Sequence, residues 1–417
     1  MQEVNCKKRV LSLFSGCGGM DLGFEGGFEV ALQSVNEKIH PDWIESLNKD
    51  KVLLSETSFE TVFANDILQY AMAAWVPFFK KRGTPTSVFK NSSIVELVKS
   101  HQLGETVFPE NIDIVTGGFP CQDFSVAGKR KGFNSHKSHL DVIDCDVSDP
   151  TTENRGMLYM WMKEVIEIVK PKVFIAENVK GLISIGEVRS IIENDFRSID
   201  KDGYIVLPSQ VINAANHGVP QSRERIFFIG FNKKYLNKKA LIELQKEVVD
   251  FKYNPYPIKT HYLLNDKDPD SILKKFVTSE DVLLGLAEPE KSKDLSQQAF
   301  SKAKFLIKGQ GNKEVNLKGL APTIRSEHHG NIEFRRLSLE NGGKNRDELK
   351  KGLLQRRLTV RECARLQTFP DNYEFVKKGT DYPLSASGAY KVIGNAVPPL
   401  LGYAIAKQLE TIWDNVF

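Results

Sequence analysis

The 417-residue chain has only five cysteines: Cys6, Cys17, Cys121, Cys145 and Cys363. Their number is odd, their spacings are wide and none are paired at metal-ligand distance. Neither a disulfide framework nor a zinc ribbon is therefore encoded, and a reduced cytosolic protein is expected. Long apolar runs are also missing. Nothing approaches the roughly 20 residues that cross a bilayer, and the first ten residues lack the apolar core of a signal peptide, so no membrane partner is expected. Nor is there a large excess of one charge, since 57 Lys and Arg face 53 Asp and Glu, for a net +4. That excludes a histone-like polycation but leaves room for a local basic face. Repeats and low-complexity tracts are absent. With 41% hydrophobic and 26% charged residues, the chain reads as a soluble globular protein of two domains, or of one large domain with an insertion.

What is present is an alternation of short apolar runs and amphipathic stretches. Strands are predicted at Val10–Phe14, Phe28–Val35, Ile112–Val115, Val173–Ala176, Tyr204–Ile212 and Ile226–Phe231. In Met157–Val169, Leu158, Met162, Val165, Ile166 and Val169 share one helical face, and Pro171 stops that helix. The alternation predicts an α/β fold, a Rossmann-like doubly wound sheet covered by helices on both sides. From Asn232 to Arg356 it fades into a polar stretch, which predicts a smaller, irregular, partly β inserted domain. Charge there is uneven: Leu263–Phe300 has five Lys against eight acidic residues, whereas Ser301–Glu362 has 15 Lys and Arg against seven. Helices return with a capping box at Thr359 and Glu362, and with Leu401, Ile405, Leu409 and Ile412 beyond Pro398 and Pro399. Tyr70–Pro109 and Ser135–Asn154 are expected to be surface elaborations.

The run Leu13–Gly23 (LFSGCGGMDLG) leaves the first strand and enters a helix. Its glycines suit a nucleotide-binding turn, although a tight structural turn explains them equally. Glu37, at the end of the second predicted strand, can accept from ribose hydroxyls. Asp66, where a third strand would end, can accept from an adenine amino group. Either carboxylate alone reads as readily as a solvated one; with the glycine turn they outline a site for an adenosine-bearing cofactor.

Gly117–Gln122 (GGFPCQ) follows the predicted strand Ile112–Val115 and leads into the basic loop Asp123–Gly132. At the mouth of a sheet, between Pro120 and Gln122, Cys121 is posed for nucleophilic work. The other four cysteines are expected to be ordinary buried thiols. Glu177, closing a hydrophobic strand, would sit near Cys121, where apolar walls raise its pKa and let it donate or share a proton. Arg223 and Arg225 alternate before the last strand and so point to one face, suited to a carboxylate, a base edge or a phosphate, with structural ion pairs as the alternative.

These blocks, in this order, resemble the C5-cytosine-specific DNA methyltransferase family over nearly the whole chain. Phe14–Gly23 resembles its S-adenosylmethionine loop and Gly118–Ser125 its nucleophile motif. Arg155–Tyr159, Glu177–Val179, Gln221–Arg225, Arg357–Gln367 and Gly394–Pro399 resemble later blocks. The resemblance implies that the Cys121 thiolate adds to C6 of a cytosine, making C5 nucleophilic toward the methyl group of S-adenosylmethionine. Glu177 would hold the N3 and amino edge, with Pro120, Gln122, Arg223 and Arg225 completing the catalytic set. It implies cofactor contacts from Phe14, Gly16, Gly18, Gly19, Met20, Glu37, Asp66, Ile67, Leu158 and Asn395. No metal is implied. Ala127 replaces a hydroxyl of some relatives, and Lys38 an aromatic residue, so those two contacts are not carried over.

The partner so implied is double-stranded DNA, with the base flipped out of the stack. The division implied is a catalytic and cofactor-binding domain (1–231), a target-recognition domain (232–356), a hinge and return segment (357–388) and a C-terminal helix completing the first domain (389–417). Ser125, Lys129 and Lys131 in the basic loop, and Thr323, Ile324, Arg325 and His328 in the recognition domain, are the expected DNA contacts. Adjacent His328 and His329, without a cysteine partner, do not make a zinc site. The expectation is a monomeric, cytoplasmic, nucleoid-associated prokaryotic enzyme of a restriction–modification system, with a restriction endonuclease acting on the same site. The alternatives are a tRNA cytosine-5 methyltransferase and a catalytically silent DNA-binding protein. A nicotinamide oxidoreductase, suggested by the glycine turn alone, leaves Pro120-Cys121-Gln122 unexplained.

Overall fold

The computed structural model describes residues 7–120, 158–185, 187–200, 203–264, 272–307, 311–326 and 331–417. Strand β1 (Lys8–Leu13) sits inside an eight-stranded sheet. Its Val10, Leu11 and Leu13 are at most 1% exposed, the continuous apolar run of a strand covered on both faces. The chain continues through α1 (Gly19–Glu25), β2 (Glu29–Ala31), β3 (Ile44–Asn48), β4 (Lys51–Leu54) and β5 (Phe59–Asn65). Next come α2 (Gln69–Lys81), β6 (Phe89–Lys90), α3 (Ile94–Gln102) and β7 (Ile114–Gly118). Then follow α4 (Leu158–Val169), β8 (Val173–Val179), α5 (Val188–Arg197), β9 (Tyr204–Val206), β10 (Gln210–Asn213) and β11 (Glu224–Asn232).

The sheet order is β10-β11-β8-β7-β1-β5-β6, with β9 paired to β11. The pairs β6-β5, β5-β1, β1-β7 and β7-β8 are parallel, and β11 runs antiparallel to β8. From β1 the chain winds outward through β5 and β6, then returns to β7 on the other side. The winding direction therefore reverses between β1 and β7, and the crevice outside their carboxyl ends is where such sheets bind ligands. Successive residues feed opposite faces. Val10, Ile114, Val173 and Ile175 join the layer of α1, α2 and the last two helices of the chain, whereas Leu11, Val115, Phe174 and Ala176 join that of α3, α4 and α5.

The middle region holds α6 (Lys238–Glu243), β12 (His261–Tyr262), β13 (Lys274–Lys275), α7 (Ser279–Leu283), α8 (Leu295–Gln298), β14 (Phe334–Arg336), α9 (Arg346–Lys350) and β15 (Arg356–Arg357). Its strands form small two-stranded pairings. Part of the basic excess read from the sequence is turned inward. Arg356 pairs with Glu362 at 2.8 Å and with Glu288 at 3.0 Å, and Arg336 pairs with Glu348 at 2.6 Å. Residues at the start of the region lie against the large sheet's layer: Asn237 N donates to Val416 O at 3.1 Å, and Gln408 Nε2 donates to Asn254 O at 2.7 Å. The chain closes with α10 (Val360–Leu366), α11 (Ala386–Asn395) and α12 (Pro399–Val416). Both hydrogen bonds of the Thr359–Glu362 capping box are present.

Three expectations are corrected. The predicted strand Tyr204–Ile212 is broken at Pro208, which has no N–H for a ladder, into β9 and β10, both paired with β11. Of the predicted strand Phe28–Val35, only β2 is extended, and it joins an antiparallel β2-β4-β3 sheet outside the central one. Gly26 and Gly27, at φ 70° and 64°, turn the chain away, and the place beside β1 is filled by β5. Tyr70–Pro109 is not a surface elaboration. It supplies α2, β6 and α3, and Trp75 of α2 is wholly buried. Inside α2, Pro77 has no N–H for the Ala73 carbonyl four residues back. Lys377 Nζ donates to that oxygen at 2.7 Å instead. Ser135–Asn154 lies outside the described residues. No helix among the described residues is long and apolar enough to cross a membrane.

Candidate active site

The turn after β1 forms one wall of a cleft. Phe14 and Gly18 take φ values of 52° and 75°. A Cβ on Gly18 would lie 2.7 Å or less from Trp75 and Phe79, so glycine is required there for both space and backbone. A Cβ on Gly19 would meet Val397 O at 2.1 Å, which lets α1 pack tightly on the start of α12. Below the turn, Asp21 is fully buried and accepts from Ser12 Oγ (2.6 Å) and Trp75 Nε1 (2.7 Å). Burial pushes its carboxyl up to about 7. Cys17 within the turn is buried, donates to Val392 O at 3.3 Å, and has its thiol pushed up by burial. Cys363 is likewise a buried thiol, while Cys6 and Cys145 lie outside the described residues.

Asp66, just past β5, accepts from Gly16 N at 2.9 Å and from Leu68 N at 2.8 Å. Each oxygen keeps a lone pair for a ligand donor. Burial raises its carboxyl to about 6 against the pull of these amides.

The facing wall is the end of β7 with β8 and β11. Phe119 is buried and Asn178 Nδ2 donates to its carbonyl at 3.2 Å, so the end of β8 holds the chain that leads through Pro120 to residue 121. Glu177 sits beside Gly118, whose Cβ would lie 3.0 Å from Glu177 Oε2. Arg225 Nε lies 2.9 Å from Glu177 Oε1, an ion pair at the cleft wall. Burial raises the Glu177 carboxyl, with Arg225 and Arg223 opposing.

These walls enclose a cleft of about 370 Å³. Of the expected cofactor residues, Phe14, Gly16, Gly19, Met20, Asp66, Ile67, Leu158 and Asn395 line it, whereas Gly18 packs on Trp75. Pro120, Glu177, Arg225, Thr323, Ile324 and Arg325 line the same cleft. Two residues stand elsewhere. Glu37 is half-exposed, absent from the lining, and paired with Lys274 at 2.5 Å, which holds its carboxyl below the usual range. Arg223 is wholly buried off the cleft wall and donates to Ile324 O (3.2 Å) and Gly394 O (3.1 Å). Cys121, Gln122, Ser125, Lys129, Lys131 and His328 lie outside the described residues.

Sequence reasoning passed over Lys391, which lines the cleft four residues before Asn395 on one face of α11. That spacing was the available signal. It also left Asn178 without a role, because a tether to a carbonyl 59 residues away leaves no local pattern.

S-Adenosylmethionine fits this cleft on chemical grounds. Asp66 can accept from an adenine amino group, and Ile67 and Leu158 offer apolar walls. Among the described residues no group of His, Cys, Asp and Glu is arranged to hold a metal.

The sequence model of the family described as C-5 cytosine-specific DNA methylase matches residues 8–145 and 148–411. Type II methyltransferase M.BspRI of Lysinibacillus sphaericus is 31% identical over 98% of this chain and 83% of its own length. Type II methyltransferase M.NgoPII of Neisseria gonorrhoeae is 28% identical over 96% of this chain and 95% of its own. Among solved structures, the S. pombe Dnmt2 methyltransferase superposes with a TM-score of 0.53 at 18% identity, covering 97% of this chain and 99% of that one. At that identity the likeness speaks for the α/β methyltransferase fold alone.

Proposed function

Because the chain belongs to the C-5 cytosine-specific DNA methylase family, and so to the DNA cytosine-5 methyltransferases, we propose how it acts. It methylates C5 of a flipped cytosine in a short duplex site through a Cys121–C6 adduct, as the modification enzyme of a restriction–modification system. One observation carries this reading. The turn Phe14–Gly19, the buried Glu177–Arg225 pair and Pro120, immediately before Cys121, all meet at one cleft over the switch point of the sheet.

S-Adenosylmethionine, when bound, supplies an electrophilic methyl group. Asp66, Ile67, Leu158, Phe14 and Asn395 would hold it. The chain's own residues prepare the base. Only a few per cent of an ordinary thiol is ionised at neutral pH, so Cys121 must lose its proton as it attacks C6. Negative charge then develops on the pyrimidine. Glu177, whose proton affinity burial raises, holds the N3 and amino edge where that charge collects. Arg225 fixes the Glu177 carboxyl and limits how far its pKa rises. Once C5 carries the methyl group, water accepts the C5 proton, its C–H pair restores the C5–C6 double bond, and the Cys121–C6 bond breaks to return the thiolate.

A stacked base cannot present C6 to a thiolate, which requires flipping. Residues 232–356 serve as the target-recognition domain, with Thr323–Arg325 reaching the cleft. The basic loop with Ser125, Lys129 and Lys131 contacts the backbone. The enzyme works as a monomer on bacterial chromosomal DNA in the cytoplasm, beside a restriction endonuclease that reads the same site.

The test is transfer of labelled methyl from S-adenosylmethionine to unmethylated duplex DNA and to total tRNA in parallel, with Cys121→Ser as control. Label at C5 of cytosine in DNA, lost in Cys121→Ser, is expected. Label in tRNA alone would move the substrate to RNA. Turnover retained by Cys121→Ser would remove Cys121 as the nucleophile.

A further inference from the structure

Three wholly buried polar side chains, Gln221, Arg223 and Gln367, lie behind the cleft lining. Gln221 and Arg223 both hold the backbone of Ile324. Gln221 Oε1 accepts from Ile324 N at 3.0 Å, while Arg223 Nη1 donates to Ile324 O at 3.2 Å. Around this contact the chain is zipped in parallel: Ala321 N donates to Pro220 O and Ser222 N to Ala321 O, at 3.0 and 2.9 Å. The other ends of the same side chains reach the opposite wall. Arg223 Nη2 donates to Gly394 O at 3.1 Å and to Asn395 O at 3.4 Å. Gln221 Nε2 donates to Gln367 Oε1 at 2.7 Å, and Gln367 Nε2 donates to Ile393 O at 2.6 Å. The two backbones also touch directly, since a Cβ on Gly394 would lie 2.1 Å from the Arg325 carbonyl.

We propose that Arg223, supported by Gln221 and Gln367, is a positioning residue that locks the target-side segment Thr323–Arg325 to the cofactor-side segment Gly394–Asn395, so that duplex DNA and cofactor strengthen each other's binding. The inference rests on the proposed placement of DNA and cofactor on these walls. A guanidinium presents five donors in a rigid plane and can bridge carbonyls of two segments; a lysine ammonium on a flexible stem cannot hold both at fixed separation. Carbonyls left bare in a buried site are unfavourable, so neither segment is free to shift alone. Thermodynamic linkage then requires that whatever orders one segment favours ligands of the other, by the same factor in both directions.

The experiment measures the dissociation constant of S-adenosylhomocysteine calorimetrically, with and without an unmethylated duplex that the wild-type protein methylates. Wild type should bind on the order of tenfold more tightly with the duplex present. Arg223→Lys should bring that factor close to one while each ligand alone binds within about twofold of wild type, and kcat should fall with little change in KM. Arg357→Lys is the control for a merely structural loss. Arg357 is also buried and donates to the carbonyls of Ala303 and Gly311, but not to Gly394 or Asn395. It should lower the melting temperature and leave the coupling factor intact. Retained coupling in Arg223→Lys, equal loss in Arg357→Lys, or no coupling in wild type each overturns the proposal. If Arg223→Lys does not fold, Gln367→Met cuts the parallel path and is read by the same criteria. A wild-type protein that binds no S-adenosylhomocysteine and methylates no DNA would instead fail the underlying reading.

Discussion

Arg225 holds its guanidinium 2.9 Å from the carboxylate of Glu177, and both side chains are almost fully buried at the carboxyl edge of the sheet. Burial drives the Glu177 carboxyl upward and the Arg225 cation restrains it. Glu177→Gln should lower kcat by about 10²–10⁴-fold with S-adenosylhomocysteine affinity unchanged. If protonated Glu177 is the active form, kcat falls as pH rises through its raised pKa. Removing the opposing cation in Arg225→Gln should move that alkaline limb to higher pH. A limb that stays in place would remove Glu177 as its origin.

Trp75 belongs to a segment that reads as decoration, yet its indole N–H holds Asp21 beneath the glycine turn at 2.7 Å. Trp75→Phe leaves a buried carboxyl short of a donor. A loss of about 1–3 kcal/mol in unfolding free energy is expected, together with weaker S-adenosylhomocysteine binding. Denaturant titration and calorimetry check the two parts separately.

Lys391 is the one cation among the described cleft residues with no carboxylate in salt-bridge contact, since Arg225 pairs with Glu177 and Arg325 with Glu333. Its neighbour Val392 receives the Cys17 thiol, which sets Lys391 close to the glycine turn. Lys391→Gln should weaken S-adenosylhomocysteine by about tenfold or more, as for loss of a charged hydrogen bond. 5′-Methylthioadenosine, which has no amino-acid tail, should be weakened much less, since it feels only the indirect effect of Lys391 on the Asp66 carboxyl. Equal weakening of both would point away from the tail carboxylate.

His217 and His261 are buried where the middle region meets the large domain, and burial lowers them to about 3 and 4. His261 also joins Thr260 Oγ1 at 2.8 Å and Gln33 O at 2.9 Å. The unfolded chain takes up protons near the ordinary histidine pKa of about 6.5, before the folded one does. Their contribution to stability is therefore intact above that pH and is lost as pH falls toward the folded values. Buried Asp21 and Asp66, with raised pKa values, act in the opposite sense, so the signal is the difference between His261→Gln and wild type. That difference should shrink as pH falls from about 6.5 to 4; a constant difference in denaturant midpoints would contradict it.

Exchanging the recognition domain for that of a relative should move the methylated site and leave the chemistry in place. Tyr256 Oη donates to Phe227 O at 3.1 Å, and Gln408 holds Asn254. An exchange starting after residue 256 keeps these contacts and should fold better than one starting at Asn232. Sequencing of methylated DNA from each chimera reports the site, and an unmoved site would reject the domain assignment.

Strand ends and turns were legible because they depend on local chemistry. The capping box at Thr359 and Glu362, the face of α4 and the prolines opening α12 all specify their elements within a few residues. Glu37 and Arg223 were not legible. Each sits in a pattern that suits a ligand contact, and what takes them elsewhere is Lys274 in one case and carbonyls 101 and 171 residues away in the other. The strand β2 was misread for a related reason. Its residues have strand character, but competition with β5 for the place beside β1 is decided by packing.

Pro77 and Lys377 show how such distant ties constrain sequence drift. The proline empties one helix carbonyl and the lysine, 304 residues beyond that carbonyl's own position, fills it. A lineage that replaced the proline would close the helix bond and strand a buried ammonium. One that replaced the lysine would strand the carbonyl. The two positions are thus expected to change together, because either change alone leaves a buried polar group without its partner.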